Sequence, residues 1–151
     1  MSLGGTKSAA VNTAVANAVT AGVFFAVAAG NDGKDSANYS PASEPTVYTV
    51  GATDSTDKVA SFSNYGTLVD IHAPGVSILS TWLNGGTNTI SGTSMATPHV
   101  AGLAAYILAL EGKKTPAALS ARLTELSTKD KITGLKGTTK NYLAFNGNPS
   151  G

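Results

Sequence analysis

The chain contains no cysteine. A disulfide framework and a thiolate metal site are both excluded. Charge is scarce: charged residues make up 13% of the sequence, and the formal net charge is +1. That balance gives no electrostatic footing for nucleic acid or an anionic membrane, and neither is expected as a partner. Long apolar runs are missing too. The longest, Val100 to Leu110, is shorter than a bilayer span requires. No secretory leader pattern is visible. With 2 histidines in the chain, candidates for a general base are few.

Glycine, alanine, serine and threonine are plentiful instead. This composition suits tight α/β packing and argues against disorder. The 151 residues match one ordinary domain, with no internal repeat and no clear boundary. Thr6 or Ser8 can cap a helix running to about Ala21, with Val11, Val15, Ala18 and Val19 as its apolar stripe and Gly22 as its stop. Val23 to Ala29 reads as a buried strand, Val47 to Ala52 as a second and Thr67 to His72 as a third. A short strand then leads into a helix from about Ser94 to Leu110. It is apolar on nearly every face and is expected to be buried. Thr115 and Pro116 start an amphipathic helix bearing Leu119, Leu123 and Leu126. The Gly- and Asn-rich tail from Gly134 holds a possible edge strand at Tyr142 to Phe145. Helix and strand alternating over short connections predict a mainly parallel sheet in a three-layer α/β fold.

One segment carries chemistry. Residues 91–102 read Ser-Gly-Thr-Ser-Met-Ala-Thr-Pro-His-Val-Ala-Gly. Ser94 follows a Gly-Thr turn at the start of the long helix. N–H groups there lack intrahelical partners and the macrodipole is positive. That suits a nucleophile whose reaction builds negative charge on a neighbouring oxygen. By position alone, a serine there is more often a helix cap.

The twelve-residue string decides the matter. It resembles the nucleophile segment of subtilisin-like serine proteases, the fungal proteinase K branch in particular. The resemblance covers residues 1–151 as the C-terminal portion of a peptidase domain. It implies a partial subtilisin-like fold with the central helix buried. It also implies a serine endopeptidase working through an acyl-enzyme on Ser94. Asn31, in Ala-Ala-Gly-Asn, would donate its amide to the oxyanion. Ser2, Leu3 and Gly4 would pair with an extended substrate. Ala28, Ala29 and Gly30 would form the opposite wall of a roomy apolar slot, with Tyr39 beside it. With such small walls, the resemblance implies broad specificity leaning toward large apolar or aromatic side chains. Asp70 with the carbonyls of Pro45 and Val47 would hold a structural Ca²⁺, and the chemistry itself needs no cofactor. Asn38-Tyr39-Ser40 is a glycosylation sequon. With the resemblance, it points to an extracellular protein, a vacuolar one being the alternative.

The family's aspartate and histidine motifs are absent from this chain. They are expected in a missing N-terminal half, which becomes an implied partner beside protein or peptide substrates. Local substitutes are poor. Asp70 and His72 precede Ser94 but match neither motif, and His99 lies more than a helical turn beyond it. A serine without a base is a weak nucleophile. The competing expectation is therefore an inert fragment acting as a peptide-binding or antigenic module. Either way, a chain lacking part of the sheet should expose a broad apolar surface.

Overall fold

The computed structural model describes residues 1–148. The end of the Gly- and Asn-rich tail lies outside the described residues. In chain order the elements are β1 (Gly5–Thr6), α1 (Ala9–Thr20), β2 (Ala26–Ala28), β3 (Tyr39–Ser40), β4 (Tyr48–Thr53), β5 (Ile71–Pro74), β6 (Ile78–Thr81), β7 (Thr87–Ile90), α2 (Thr93–Glu111), α3 (Pro116–Leu126), β8 (Thr128–Lys129) and β9 (Tyr142–Leu143).

Helix boundaries follow local capping chemistry. The Ser8 hydroxyl accepts the Val11 N–H and opens α1, so Ser8 rather than Thr6 is the cap. α1 ends as Gly22 turns to φ +97°, with Gly22 N–H bonding the Val19 carbonyl and Val23 N–H the Ala18 carbonyl. This is a Schellman closure, and it keeps Val23 out of the strand that the apolar run predicts from that residue. β2 begins only at Ala26. Thr115 caps α3 with its hydroxyl on the Ala118 N–H, and Pro116 occupies the tolerated first turn.

The main sheet has the order β2-β4-β5-β9-β8. Three of its pairings are parallel and β8–β9 is antiparallel. Strand alternation sends side chains to two helical layers. Ala26, Val50, Ala52, Ile71 and Ala73 pack with Ala96, Val100, Ala104 and Ile107 of α2 and with Leu119 and Leu123 of α3. Val27 faces the other way, against Val15 of α1. The expected three-layer α/β architecture with a mainly parallel sheet is present.

Several expectations are corrected. Val11 is exposed, so the stripe of α1 narrows to Val15 with partial cover of Val19. The third strand starts at Ile71 rather than Thr67, after a turn at Gly66 closed by the Val69 N–H. β9 lies between β5 and β8 and is not an edge. The strand before Ser94 is half of a separate β6–β7 hairpin outside the main sheet. α2 is covered on one face only: Val100 and Ile107 are buried, while Tyr106 is 47% and Leu110 67% exposed. The sheet and α3 cover one side of α2, and the face of Tyr106 and Leu110 stays exposed. Exposed Leu79, Trp82 and Leu83 on the hairpin extend the apolar surface, as expected. By length and composition α2 could cross a membrane, because the helix is longer than its apolar run. Its packing against β2, β4 and β5 is that of a core helix.

Candidate active site

Met1 lies along β2: its amino group donates to the Ala26 carbonyl and its own carbonyl accepts the Ala28 N–H. The chain then runs through Ser2, Leu3 and Gly4 into β1, which pairs with β3. A cavity of about 400 Å³ opens between this segment and the end of β2. Leu3 and Gly4 line one side, Ala28, Ala29 and Gly30 the other, and Asn31, Tyr39 and Ser94 complete it. Ser2 joins through its bonds to Ser94. Its hydroxyl donates to the Ser94 carbonyl at 2.8 Å, and the Ser94 hydroxyl donates to the Ser2 carbonyl at 3.3 Å. The structure therefore brings together every predicted nucleophile, oxyanion and substrate-binding residue, from four separate stretches of chain.

The start of α2 is held by side chains rather than by a cap of its own. Asn31 Oδ1 accepts the Thr93 N–H at 2.8 Å and the Thr93 hydroxyl at 2.9 Å. With its oxygen committed, the Asn31 amide is left with two N–H donors to offer. The Ser94 N–H makes no hydrogen bond among the described residues. The two donors are neighbours: a Cβ on Gly92 would stand 3.6 Å from Asn31 Nδ2, from the Ser94 nitrogen and from Met95 Sδ. Gly92 keeps that space free of a side chain. Two neighbouring donors at a positive helix end can stabilise an oxyanion.

A second layer fixes Asn31, and nothing in the sequence pattern marks it. Asn64 is fully buried. Its Nδ2 donates to the Ala29 carbonyl, and its Oδ1 accepts the N–H groups of Asp32 and Lys34. These bonds clamp both sides of Asn31. Gly30 has φ +104°, and a Cβ there would collide with the Asn64 amide, so glycine is required twice over. Thr93 adds a further tie by accepting the Gly30 N–H. Asp32 is another lining residue that the sequence reading passed over. Partial desolvation of the Tyr39 phenol and the adjacent Asp32 carboxylate together raise the tyrosine's pKa.

No base accompanies Ser94 among the described residues. His72 is fully buried on the sheet face opposite the Ile71 and Ala73 side chains that meet α2. Burial lowers its pKa to about 4, only partly offset by the Tyr142 carbonyl, and neither ring nitrogen makes a well-formed hydrogen bond. His99 is exposed and turns its Nδ1 to the Met95 carbonyl at 2.8 Å. Asp54 closes its own turn through Thr56 and Lys58.

Pro45, Val47 and Asp70 share a second cavity, so the residues predicted for calcium are neighbours. One carboxylate and backbone carbonyls are a suitable oxygen set for Ca²⁺. However, Asp70 Oδ1 pairs with Lys140 Nζ at 2.7 Å and Oδ2 accepts the Thr49 N–H. An ammonium thus already supplies the positive charge, and the cation fits only with Lys140 withdrawn. In the sequon, Asn38 is exposed, while the Ser40 hydroxyl is buried against the Ser8 backbone.

Comparison with known proteins extends this geometry. Residues 1–143 match the model of the subtilase family. The chain is 64% identical over 147 residues to the alkaline serine protease ver112 of Corniculantispora psalliotae, covering 97% of this chain and 38% of that protein. It is 60% identical to the cuticle-degrading protease of Metarhizium anisopliae, with the same coverages of 97% and 38%. It therefore spans well under half of these relatives. Among solved structures, a cold-adapted subtilisin-like serine proteinase superposes with TM-score 0.95 at 48% identity, over 97% of this chain and 53% of that one.

Proposed function

The chain belongs to the subtilase family, and from that premise we propose that it forms the nucleophile-bearing part of a serine endopeptidase. The single observation that carries this reading is the proximity of the Ser94 N–H and the Asn31 amide, lining one substrate-sized cleft together with the Ser94 side chain. An extended peptide would lie between residues 2–4 and 28–30 and pair with their backbone. Ser94 Oγ would attack the scissile carbonyl and give a tetrahedral intermediate, whose negative oxygen would sit against the Asn31 and Ser94 donors. Its collapse would break the C–N bond, release the amine with a proton returned by the base, and leave the acyl-enzyme. Water would then hydrolyse the ester. The proton must pass to a histidine oriented by an aspartate, and both come from outside this chain. In the resting geometry the Ser94 hydroxyl donates to Ser2, so substrate binding would have to free it.

The protein would act outside the cell on proteins or peptides. A structural calcium at Asp70, Pro45 and Val47 would require Lys140 to leave. Polypeptide carrying the aspartate and histidine segments is the expected partner. The absence of a base near Ser94 favours a second reading, in which this chain alone binds peptides without cutting them.

Fluorophosphonate labelling followed by intact mass separates the two. In the complete protein Ser94 should gain the label, and Ser94→Ala should not. Replacing Asn31 by alanine should lower kcat by about 10²–10³, the loss measured for the corresponding donor in subtilisin. A complete protein that cleaves peptides equally well with Ser94→Ala would refute the endopeptidase reading.

A further inference from the structure

The His72 imidazole plays no part in the Ser94 cleft, but it lines a cavity of its own. That cavity holds about 410 Å³ and shares no lining residue with the cleft. His72 is buried and forms its floor. The ring lies over Gly51 of β4, where a Cβ would stand 2.5 Å from its Cδ2 and 2.6 Å from its Nε2, so glycine is what leaves room for it. Neither Nδ1 nor Nε2 has a hydrogen-bond partner among the described residues; the Tyr142 carbonyl approaches without a well-formed bond. An imidazole carries a donor on one nitrogen and an acceptor on the other, and a buried pair left unused is a cost that a bound partner can offset. The walls above the ring are apolar, from Val59, Phe62, Val76 and Leu135. The mouth is cationic. Lys58 and Lys136 line it, both are exposed, and neither forms an ion pair among the described residues. Asp54, the one carboxylate lining the cavity, commits its Oδ1 to its own turn.

We propose that this cavity is a binding site for a small phenolic acid, a flat ring with a hydroxyl at one end and a carboxylate at the other. The hydroxyl bonds the His72 ring on the floor. The aromatic body lies against Phe62 and its apolar neighbours, and a few fixed polar groups in an otherwise apolar hollow set its orientation. The carboxylate sits at the mouth between Lys58 and Lys136, where the attraction is partly hydrated, modest and screened by salt. A plain aromatic acid leaves His72 without a partner, and a neutral phenol leaves the lysines without one. A ligand this small should bind with a dissociation constant of about 1 mM. The site stands on its own geometry and does not depend on the endopeptidase reading.

The test is a titration of the complete protein, carrying Ser94→Ala against self-digestion, with 4-hydroxybenzoate. Amide resonances of Gly51, Ala60 and Gly134 should shift and saturate, while those of Gly30 and Asn31 in the cleft stay in place. Benzoate, which lacks the hydroxyl, should bind about three- to tenfold more weakly, the effect of one hydrogen bond. 4-Hydroxybenzyl alcohol, which lacks the charge, should also bind more weakly, by about threefold at low salt, and this difference should vanish at high salt. His72→Phe should make 4-hydroxybenzoate and benzoate bind alike. Lys58→Gln with Lys136→Gln should weaken 4-hydroxybenzoate by about threefold and leave the alcohol unchanged. The comparison of the three ligands needs no substitution at His72, so it decides even where His72→Phe fails to fold. No saturable shift at about 10 mM 4-hydroxybenzoate, ten times the expected constant, overturns the site. Equal affinity for 4-hydroxybenzoate and benzoate overturns the role of His72 and leaves its ring as filler over Gly51.

Discussion

Substituting Asn64 by alanine should loosen the loop around Asn31 before it loosens the core. The side chain is 0% exposed and makes three hydrogen bonds, to the Ala29 carbonyl at 2.9 Å and from the N–H groups of Asp32 at 3.1 Å and Lys34 at 3.0 Å. These losses are not equal. Asp32 and Lys34 are exposed residues, and water can take over their N–H groups. Ala29 is fully buried, so its carbonyl loses a partner that water cannot replace. A stranded buried acceptor costs about 1–3 kcal/mol, and each replaceable bond about 0.5 kcal/mol, which together give about 2–4 kcal/mol. Urea unfolding of the wild-type and Asn64→Ala chains measures this directly. Amide hydrogen exchange locates it: Asp32 and Lys34 should lose protection while Val50, in the central strand, keeps its own relative to global stability. The clash that forbids a Cβ at Gly30 is with this same amide. Gly30→Ala should therefore cost less in the Asn64→Ala background than in the wild type, a coupling a double-mutant cycle will report. A loss below about 1 kcal/mol, or full retention of Asp32 and Lys34 protection, would refute the view that Asn64 holds the loop.

Acid should destabilise the fold through His72. Its native pKa, about 4, lies below the unfolded value of 6.5, so the unfolded chain binds the extra proton and stability falls as pH drops from 6.5 toward 4. The slope approaches about 1.4 kcal/mol per pH unit. Calorimetry between pH 6.5 and 5, where few carboxylates titrate, with EDTA present, should show it in the wild type and not in His72→Leu; equal slopes would exclude His72 as the cause. Lys140→Ala should expose Asp70 to calcium, since the ammonium at 2.7 Å is removed. Calcium should then raise the melting temperature of Lys140→Ala more than that of the wild type, and an equal response in both would show that Lys140 does not compete for the site.

How far the sequence reveals this molecule depends on the range of the interactions involved. α1 and α3 are legible because their caps are local: Ser8 and Thr115 each bond an N–H three residues on. Ser94 and Asn31 are legible because a continuous string of residues marks each, and the structure brings both to one cleft. Asn64 and Thr93 are not. Their decisive partners lie 35 and 62 residues away, and a lone polar residue that will be buried carries no periodic signal. β6, the first half of the β6–β7 hairpin, escapes for a different reason. Ile78-Leu79-Ser80-Thr81 does not alternate, and Leu79 is 67% exposed, so neither a two-residue period nor burial announces a strand.

The long helix shows where pattern reading stops in principle. Apolar residues on every face establish that α2 needs cover all round. They do not identify what covers each side. In this chain the sheet takes the face of Val100, Ala104 and Ile107, and the face of Tyr106 and Leu110 stays open. The chain spans 53% of a solved relative that it matches with TM-score 0.95. The fold is thus retained closely while a flank of its central helix has no partner among the described residues. The same division runs through the chemistry. Ser94 and the Asn31 amide beside it are held by contacts within the chain, and among the described residues no base stands next to the serine.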